Sequence, residues 1–299
     1  MLFQDVDVAK KNAAQFFNKN PESINQDIRI IQQWLQTQPH LPELMEEPKI
    51  ANFLLLNKYS IEKTKQKIDM YYTVRSVLVD IFENSNPRSS VMRHFMDLTY
   101  CCLHPKTIDG LYRVYFIKIK KPSTFLPREF GLQCNNIGEV RFYEDCMVGD
   151  IIIFDMSTLT LHDLTKVTPV LVSKFVKIHQ VYSMRTHQAY FINSPPYVGK
   201  LLQILKMIVK PKIFARLRVC QDDAVLREIF AQDELPRDYG GDGPSLDELN
   251  ELMGAKLEEY GHRFDVLDGL KVDESKRPGE LVDDAVLGYH GNFKMLNVD

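Results

Sequence analysis

The chain has 299 residues, of which 44% are hydrophobic and 26% charged, and its formal net charge is −3. This composition is ordinary for a globular protein and supplies enough apolar material for a sizeable core. The longest apolar runs, such as Phe53–Leu56, are far shorter than the roughly 18 residues of a membrane span, and the first residues lack an apolar signal segment. Five cysteines without C-x-x-C spacing predict reduced thiols in a cytoplasmic protein. These features argue against the membrane-spanning, secreted and collagen-like classes.

The first ninety residues have the periodicity of helices. Asn20 followed by Pro21 predicts a helix start, with a capping side chain and proline at the first helical position. The apolar stripe of this helix is Ile24, Ile28, Ile31 and Leu35. Two further helices are predicted, one from about Pro48 to Asn57 and one capped by Ser60. We interpret these stripes as packing surfaces.

The middle of the chain has the pattern of an α/β domain. Three short segments rich in Ile, Val, Phe and Tyr are predicted as buried strands: Leu111–Ile119, Ile151–Asp155 and Gln188–Ile192. A helical stretch from about Leu161 to Tyr182 separates the last two. Strand, helix and strand at this spacing predict a βαβ unit in a parallel or mixed sheet.

The C-terminal part begins after a loop. Residues 236–244 contain three glycines and two prolines, which is typical of a loop. Ser245 with Glu248 three residues later predicts a capping box and a helix to about Tyr260. Residues 271–280 are polar and read as irregular. The last residues, 288–299, are predicted to dock on the body through Tyr289, Phe293, Met295 and Leu296.

The charge is distributed unevenly. Residues 1–220 contain 29 Lys and Arg against 20 Asp and Glu, whereas residues 221–299 contain 8 against 20. No acidic residue occurs between Asp163 and Asp222, a stretch with ten basic residues. Such a block favours an anion-facing surface, and a solvated face balanced by the acidic C-terminal part is the alternative.

A cationic amphipathic helix is predicted directly after Pro195 and Pro196. Its apolar stripe is Val198, Leu201, Leu202, Leu205, Ile208 and Val209, and Lys200, Lys206 and Lys210 lie on the other side. An ordinary covering helix is one interpretation. The other is a helix that exchanges its apolar face between an internal cavity and a membrane interface.

Four basic positions flank this amphipathic helix. Arg185 and His187 are two apart before a strand, and Lys212 and Arg216 are four apart on a predicted helix that starts at Pro211. Each pair therefore points to one side, and the two pairs together could meet one anionic headgroup.

Catalytic signatures are missing from the sequence. There is no G-x-S-x-G, P-loop, H-E-x-x-H or dinucleotide-binding glycine pattern, and the eight histidines have no metal-ligand spacing. We therefore predict a protein that is not an enzyme and needs no cofactor or metal.

Five segments together resemble the CRAL-TRIO lipid-binding family, in the group of cellular retinaldehyde-binding protein and α-tocopherol transfer protein. IQQWLQTQPHLPE and FLLLNKYSIEKTKQKI resemble its helical N-terminal module, and GDIIIFDMSTLTL resembles a strand of its α/β domain. AYFINSPPYVGKLL resembles the strand that leads into the lid helix, and DELPRDYGGDG resembles the closing motif. The tail is similar to invertebrate members. Singly each motif is weak, but jointly and in this order they are specific.

The resemblance implies an α/β fold in which a helical module packs on a domain with a mostly parallel sheet and a hydrophobic cavity closed by a lid helix. The implied domains are residues 1–90 for the module, 91–244 for the lipid-binding domain and 245–299 for a C-terminal helix with an acidic tail.

The same resemblance implies functional residues. The implied ligand-binding residues are Leu132, Asn136, Val140, Phe154, Leu159, Phe175, Ile178, Tyr182 and Ala189. The helix from Tyr197 to Val209 would be the lid, and Asn136 and Tyr182 would be the polar tips that orient a ligand. Arg185, His187, Lys212 and Arg216 match the phosphoinositide patch of the tocopherol protein. His187 replaces a permanently charged residue there, so binding at this patch would depend on pH.

The sequence thus predicts a cytoplasmic, monomeric carrier of a tocopherol-, retinoid- or carotenoid-like molecule. Cargo would be exchanged at anionic or phosphoinositide-containing membranes, with no nucleic-acid partner. One alternative is a phosphoinositide- or phospholipid-binding regulator of membrane trafficking. A lipid-modifying enzyme and a scaffold whose domain has lost its cavity are the other two.

Overall fold

A computed structural model of the chain describes residues 2–3 and 6–279. The N-terminal helices are α1 (Val6–Phe16), α2 (Pro21–Gln36), α3 (Glu47–Leu56), α4 (Ile61–Val77), α5 (Val79–Phe82) and α6 (Ser90–Leu98). The following helices are α7 (Pro127–Glu144), α8 (Leu161–Thr165), α9 (Pro169–Val181), α10 (Val198–Ile208), α11 (Pro211–Phe214), α12 (Leu226–Ile229), α13 (Leu246–Glu259) and α14 (Gly261–Gly269). The strands are β1 (Thr99–Ile108), β2 (Tyr112–Ile119), β3 (Gly149–Asp155), β4 (Thr186–Ile192) and β5 (Leu217–Val219). Short 3₁₀ turns cover Arg237–Tyr239 and Glu274–Lys276.

Local sequence explains how the N-terminal helices begin. The Asn20 side chain accepts a hydrogen bond of 2.8 Å from the Ser23 amide, and Pro21 occupies the first helical position of α2. The predicted stripe is buried in α2, and this helix packs on α3 and α4. Ser60 stands at the N-cap of α4, but its side chain makes no capping hydrogen bond, so that part of the prediction is wrong.

The five strands form one mixed sheet in the order β1-β2-β3-β4-β5. The first pair is antiparallel, joined by a tight turn in which Asp109 and Gly110 both have positive φ. The other three pairs are parallel. This confirms the predicted α/β class with a mostly parallel sheet and a helical N-terminal module.

The long helix predicted between β3 and β4 is two helices. Thr160 and Asp163 form a capping box for α8, and Thr168 caps α9 by accepting a hydrogen bond from the Leu171 amide. Pro169 has no amide hydrogen and disfavours helical geometry in the residue before it, so the chain restarts there.

The segment after the sheet follows its sequence signals closely. The predicted capping box of Ser245 and Glu248 starts α13, which packs on β1 and α7. In the preceding loop, Gly240 has φ of 82°, and a Cβ on Gly241 would lie 2.0 Å from the Leu235 carbonyl oxygen. Only glycine fits these positions. The predicted docking of residues 288–299 lies outside the described residues.

Candidate ligand cavity

A large cavity lies between the sheet, α9 and α10. Its volume is about 580 Å³, within the range of roughly 300–1,000 Å³ that small-molecule sites occupy. The walls are mainly aromatic and aliphatic. They include Phe125, Phe130, Phe154, Met156, Leu159, Leu164, Val167, Leu171, Val172, Phe175, Val176, Phe191, Leu201, Leu205, Val209 and Ile213. We call this space the main chamber.

A second space of about 260 Å³ adjoins the main chamber. We call it the inner chamber, because it reaches β2 at Tyr115 and Ile117 and β3 at Ile152. The two chambers share much of their lining, including Phe154, Phe175 and Phe191. The ring of Phe175 lies directly against Gly131 of α7, where a Cβ would be only 2.2 Å from a ring carbon. The absence of a side chain at Gly131 therefore makes room for this aromatic wall.

The predicted amphipathic helix is confirmed as α10, which forms one wall of both chambers. Leu205 and Val209 line both chambers, and Leu201 lines the main one. Val198 is buried in a neighbouring apolar cluster, and Leu202 and Ile208 are half-buried. Lys200 and Lys206 are exposed, and Met207 exposes 72% of its surface. The helix thus has one face on the cavity and a cationic outer face with an exposed methionine.

The structure places the predicted ligand-binding residues in two groups. Phe154, Leu159, Phe175 and Ala189 line the chambers. The remaining residues, Leu132, Asn136, Val140, Ile178 and Tyr182, are packed in the core with at most 2% exposure.

The two predicted polar tips already have protein partners. The Asn136 amide donates to the Ser85 carbonyl at 2.8 Å. The Tyr182 hydroxyl donates to Glu139 at 2.9 Å and accepts from Arg75 at 3.2 Å.

Glu139 is the centre of a buried polar network. Its carboxylate accepts hydrogen bonds from Lys49 of α3 at 2.8 Å, from Tyr71 of α4 at 2.6 Å and from Tyr182. Burial acts to raise the pKa of Glu139, but the cations of Lys49 and Arg75 overcome it and hold the pKa at about 2. The carboxylate is therefore ionised, and it joins the N-terminal helices to α7 and α9.

Sequence reasoning missed the polar residues that do line the inner chamber. His179 lies one turn after Phe175 on α9 and lines both chambers. Burial lowers the pKa of its imidazole to about 4, so the ring is neutral at neutral pH. Asn135 and Thr186 also line the inner chamber. The i, i+4 spacing from Phe175 was the one sequence signal that could have identified His179.

Three of the four predicted basic residues lie close together at the start of β4. Arg216 donates from its guanidinium to the Thr186 carbonyl, between Arg185 and His187. Burial and then the charge of Arg216 lower the pKa of both Arg185 and His187, with Asp109 opposing the shift on His187. The His187 ring stacks on Tyr112 with centroids 3.8 Å apart.

Lys212 is exposed on α11. The predicted helix does not extend to Arg216, because α11 ends at Phe214 and the backbone turns into β5. There the Arg216 carbonyl accepts from the Ala189 amide at 3.0 Å. Part of the positive charge between Asp163 and Asp222 is neutralised by another segment of the chain, because Lys174 pairs with Asp80 at 2.5 Å.

A membrane-spanning helix and a metal centre are two further features that would indicate a function. No helix among residues 2–3 and 6–279 is both long and apolar enough to cross a bilayer. In the same part of the chain, no three His, Cys, Asp or Glu side chains are grouped so that they could hold a metal ion.

Comparison with known proteins finds two families along the chain. Residues 20–92 match the Pinta-like UBA domain family, and residues 137–241 match the CRAL/TRIO domain family. Clavesin-1 of Xenopus laevis is 23% identical over 239 residues, which cover 77% of this chain and 71% of that protein. Clavesin-2 of Rattus norvegicus is 20% identical over 276 residues, which cover 89% and 82% of the two chains.

Among solved structures, "Crystal structure of Sfh5" matches with a TM-score of 0.48 and 15% identity, over 70% of this chain and 79% of the other. The match over residues 137–241 confirms the resemblance that the motifs indicated, because this part of the chain is a CRAL/TRIO domain.

Proposed function

We propose that this chain carries one hydrophobic small molecule of the tocopherol, retinoid or carotenoid kind between membranes. The observation that carries the proposal is the main chamber, an apolar space of about 580 Å³ beneath a cationic amphipathic helix. A scaffold that has lost its cavity does not fit this observation.

The energetics suit an exchangeable cargo. Removing several hundred Å² of apolar ligand surface from water supplies roughly 10 kcal/mol, at about 25 cal/mol per Å². Part of this is offset by the lost freedom of the bound ligand. The remainder allows a preformed cavity to take a lipid from a bilayer and release it again.

The proposed mechanism uses α10 as a lid. Arg185, Lys212 and Arg216 dock on an anionic membrane, where each charged residue near the surface contributes about 1 kcal/mol. His187 adds to this attraction only when it is protonated, and its lowered pKa restricts that to acidic pH. Met207 and the outer lysines of α10 then meet the interface, the helix swings away from the chambers, and cargo exchanges.

Cargo identification is the first test of this proposal. Organic extraction and mass spectrometry of protein from its native source should yield one isoprenoid-like molecule per chain.

A variant of the cavity wall tests ligand loading. Leu205→Asn should weaken binding of a fluorescent retinoid about tenfold, because it places an amide on the apolar wall. Gln203→Asn on the exposed side of α10 is the matched control and should leave binding unchanged. Failure to load any apolar probe would contradict the carrier proposal.

Docking has its own test. Lys212→Ala with Arg216→Ala should slow transfer between anionic vesicles and leave transfer between neutral vesicles unchanged. The exposed pair Lys63→Ala with Lys121→Ala is the control for loss of two charges elsewhere. Equal transfer rates of the two double variants between anionic vesicles would contradict the docking step.

One observation favours a second function, a phosphoinositide- or phospholipid-binding regulator of membrane trafficking. Arg185 and Arg216 lie side by side, and Nη1 of Arg185 has no hydrogen-bond partner among the described residues. Such a group suits an anionic headgroup. A phospholipid recovered by the extraction would support this second function over the carrier.

A further inference from the structure

The inner chamber contains a buried polar group without a protein partner. Asn135 lines this chamber and is only 5% exposed. Its Nδ2 atom has no hydrogen-bond partner in the described part of the chain. A buried donor left unpaired costs about 1–3 kcal/mol, and a ligand that accepts a hydrogen bond from Asn135 would remove this cost.

His179 is a second polar side chain on this chamber, and it is half-buried. It lines the inner chamber together with Asn135, and its ring has no hydrogen-bond partner among residues 2–3 and 6–279. A neutral imidazole offers one donor and one acceptor. Asn135 and His179 can therefore receive either a hydroxyl or a carbonyl oxygen.

Two further polar side chains of the inner chamber, Tyr115 and Asp150, already have a protein partner, and Thr186 adds a neutral hydroxyl to the lining. Tyr115 accepts a hydrogen bond from Arg141 at 2.8 Å, and Asp150 is paired with the same arginine at 2.8 Å. The described lining contains no lysine or arginine. An anionic group in this chamber would thus be desolvated without a cation and would face the Asp150 carboxylate.

We propose that the inner chamber is the headgroup subsite of the cavity, and that it selects a ligand ending in one neutral hydroxyl or carbonyl and rejects the corresponding carboxylate. The Asn135 amide donates to the ligand oxygen, and His179 exchanges a second hydrogen bond with it. The apolar body of the ligand extends into the main chamber beneath α10. This inference rests on the proposed carrier function and narrows its cargo class.

The test uses two probes with the same apolar body. All-trans-retinol and all-trans-retinoic acid differ only at the terminal group, and their dissociation constants are measured by fluorescence on lipid-stripped protein. At pH 7 we expect retinol to bind roughly a hundredfold more tightly, because the acid must take up a proton at more than two pH units above an ordinary carboxyl pKa. At pH 5 the difference should shrink below about tenfold, while His179 with its pKa of about 4 stays neutral.

Substitutions of Asn135 and His179 test whether these two residues cause the preference for retinol. Asn135→Leu and His179→Leu should each weaken retinol binding about tenfold and reduce the preference over the acid. His179→Gln keeps a donor and an acceptor and should restore part of the loss. Ile152→Val, an apolar change in the same chamber, should weaken both probes equally.

The outcomes separate the two proposals. Equal affinity for both probes at pH 7, or retinol affinity unchanged in both leucine variants, overturns the headgroup subsite and leaves the carrier function standing. Failure of the wild-type chain to bind either retinoid, α-tocopherol or any other apolar probe overturns the carrier function and the subsite with it. The pH comparison on the wild-type chain decides the question even where a variant does not fold.

Discussion

At the scale of single residues, the ion pair of Lys49 and Glu139 carries the sharpest stability prediction. Both side chains are 1% exposed, and the two lie on different parts of the fold, α3 and α7. Glu139→Gln leaves Lys49 and Arg75 buried without their anion, so we expect a loss of about 3–5 kcal/mol in the free energy of unfolding. Adding Lys49→Met should recover part of this loss, since it removes one uncompensated charge. Urea unfolding of the two single variants and the double variant measures the coupling.

The ion pair of Lys49 and Glu139 also predicts how the stability of the fold depends on pH. The pKa of Glu139 falls from its ordinary 4.5 to about 2 on folding. Its stabilisation is therefore complete above about pH 4.5 and is lost as the pH falls towards 2. Glu139→Gln should lack this component of acid unfolding.

Lys65→Ala, which breaks an exposed pair with Glu62, is the control for the stability loss and should cost under about 1 kcal/mol in the free energy of unfolding. A similar cost for the buried and exposed variants would contradict the argument.

At the scale of elements, the contact of α7 with α9 at Gly131 predicts that a substitution there weakens ligand binding without lowering the stability of the fold. A methyl group at Gly131 would lie 2.2–2.4 Å from atoms of the Phe175 ring. That ring borders both chambers, so it has space to move into them. Gly131→Ala should weaken retinoid binding about tenfold, since the displaced ring fills cavity volume. Its unfolding midpoint should change little, because alanine favours the helix by about 1 kcal/mol.

Gly254 of α13 offers a matched control for this change. A Cβ there would meet no atom within 4 Å. Gly254→Ala should therefore stabilise the chain by up to about 1 kcal/mol and leave binding unchanged. Thermal unfolding and probe titration of both variants test the comparison. Unaltered binding in Gly131→Ala would show that the Phe175 ring does not limit the cavity.

The elements that sequence predicted well are those whose signal is local. Asn20 with Pro21 starts α2, and Ser245 with Glu248 starts α13, because caps act on neighbouring backbone groups. The amphipathic α10 was predictable because one of its faces meets the cavity and the other meets solvent.

The cavity itself could be predicted only in part. Helix α7 was missed because it is buried on most sides and has no apolar stripe; its buried residues include Gln133, Asn135 and Glu139. The family resemblance pointed to Asn136, whereas the neighbouring Asn135 lines the inner chamber. Adjacent residues on a helix point about 100° apart, and only the packing of α7 on α9 decides which of them meets the cavity.

At the scale of the whole molecule, buried and partly buried polar contacts cross the predicted domain boundaries. The Asn52 side chain of α3 donates to the Phe142 and Asp145 carbonyls, both at 2.9 Å. From the C-terminal side, Arg263 of α14 makes two hydrogen bonds to Glu43, at 3.0 and 2.8 Å. Each contact would lose its partner if one part unfolded alone. We therefore infer that the described parts of the three predicted domains, 1–90, 91–244 and 245–299, do not act as independent folding units.

This predicts a single cooperative unfolding transition, and the chain contains its own reporter. Trp34 is the single tryptophan and lies on α2, so its fluorescence follows the N-terminal helices, whereas far-UV circular dichroism follows the whole chain. The two urea transitions should coincide, which is the mark of two-state behaviour. Glu139→Gln, a change in α7, should shift both midpoints by the same amount. A Trp34 transition at lower urea, or a shift seen by circular dichroism alone, would mean that the N-terminal helices unfold separately and that the buried contacts between the parts contribute little to stability.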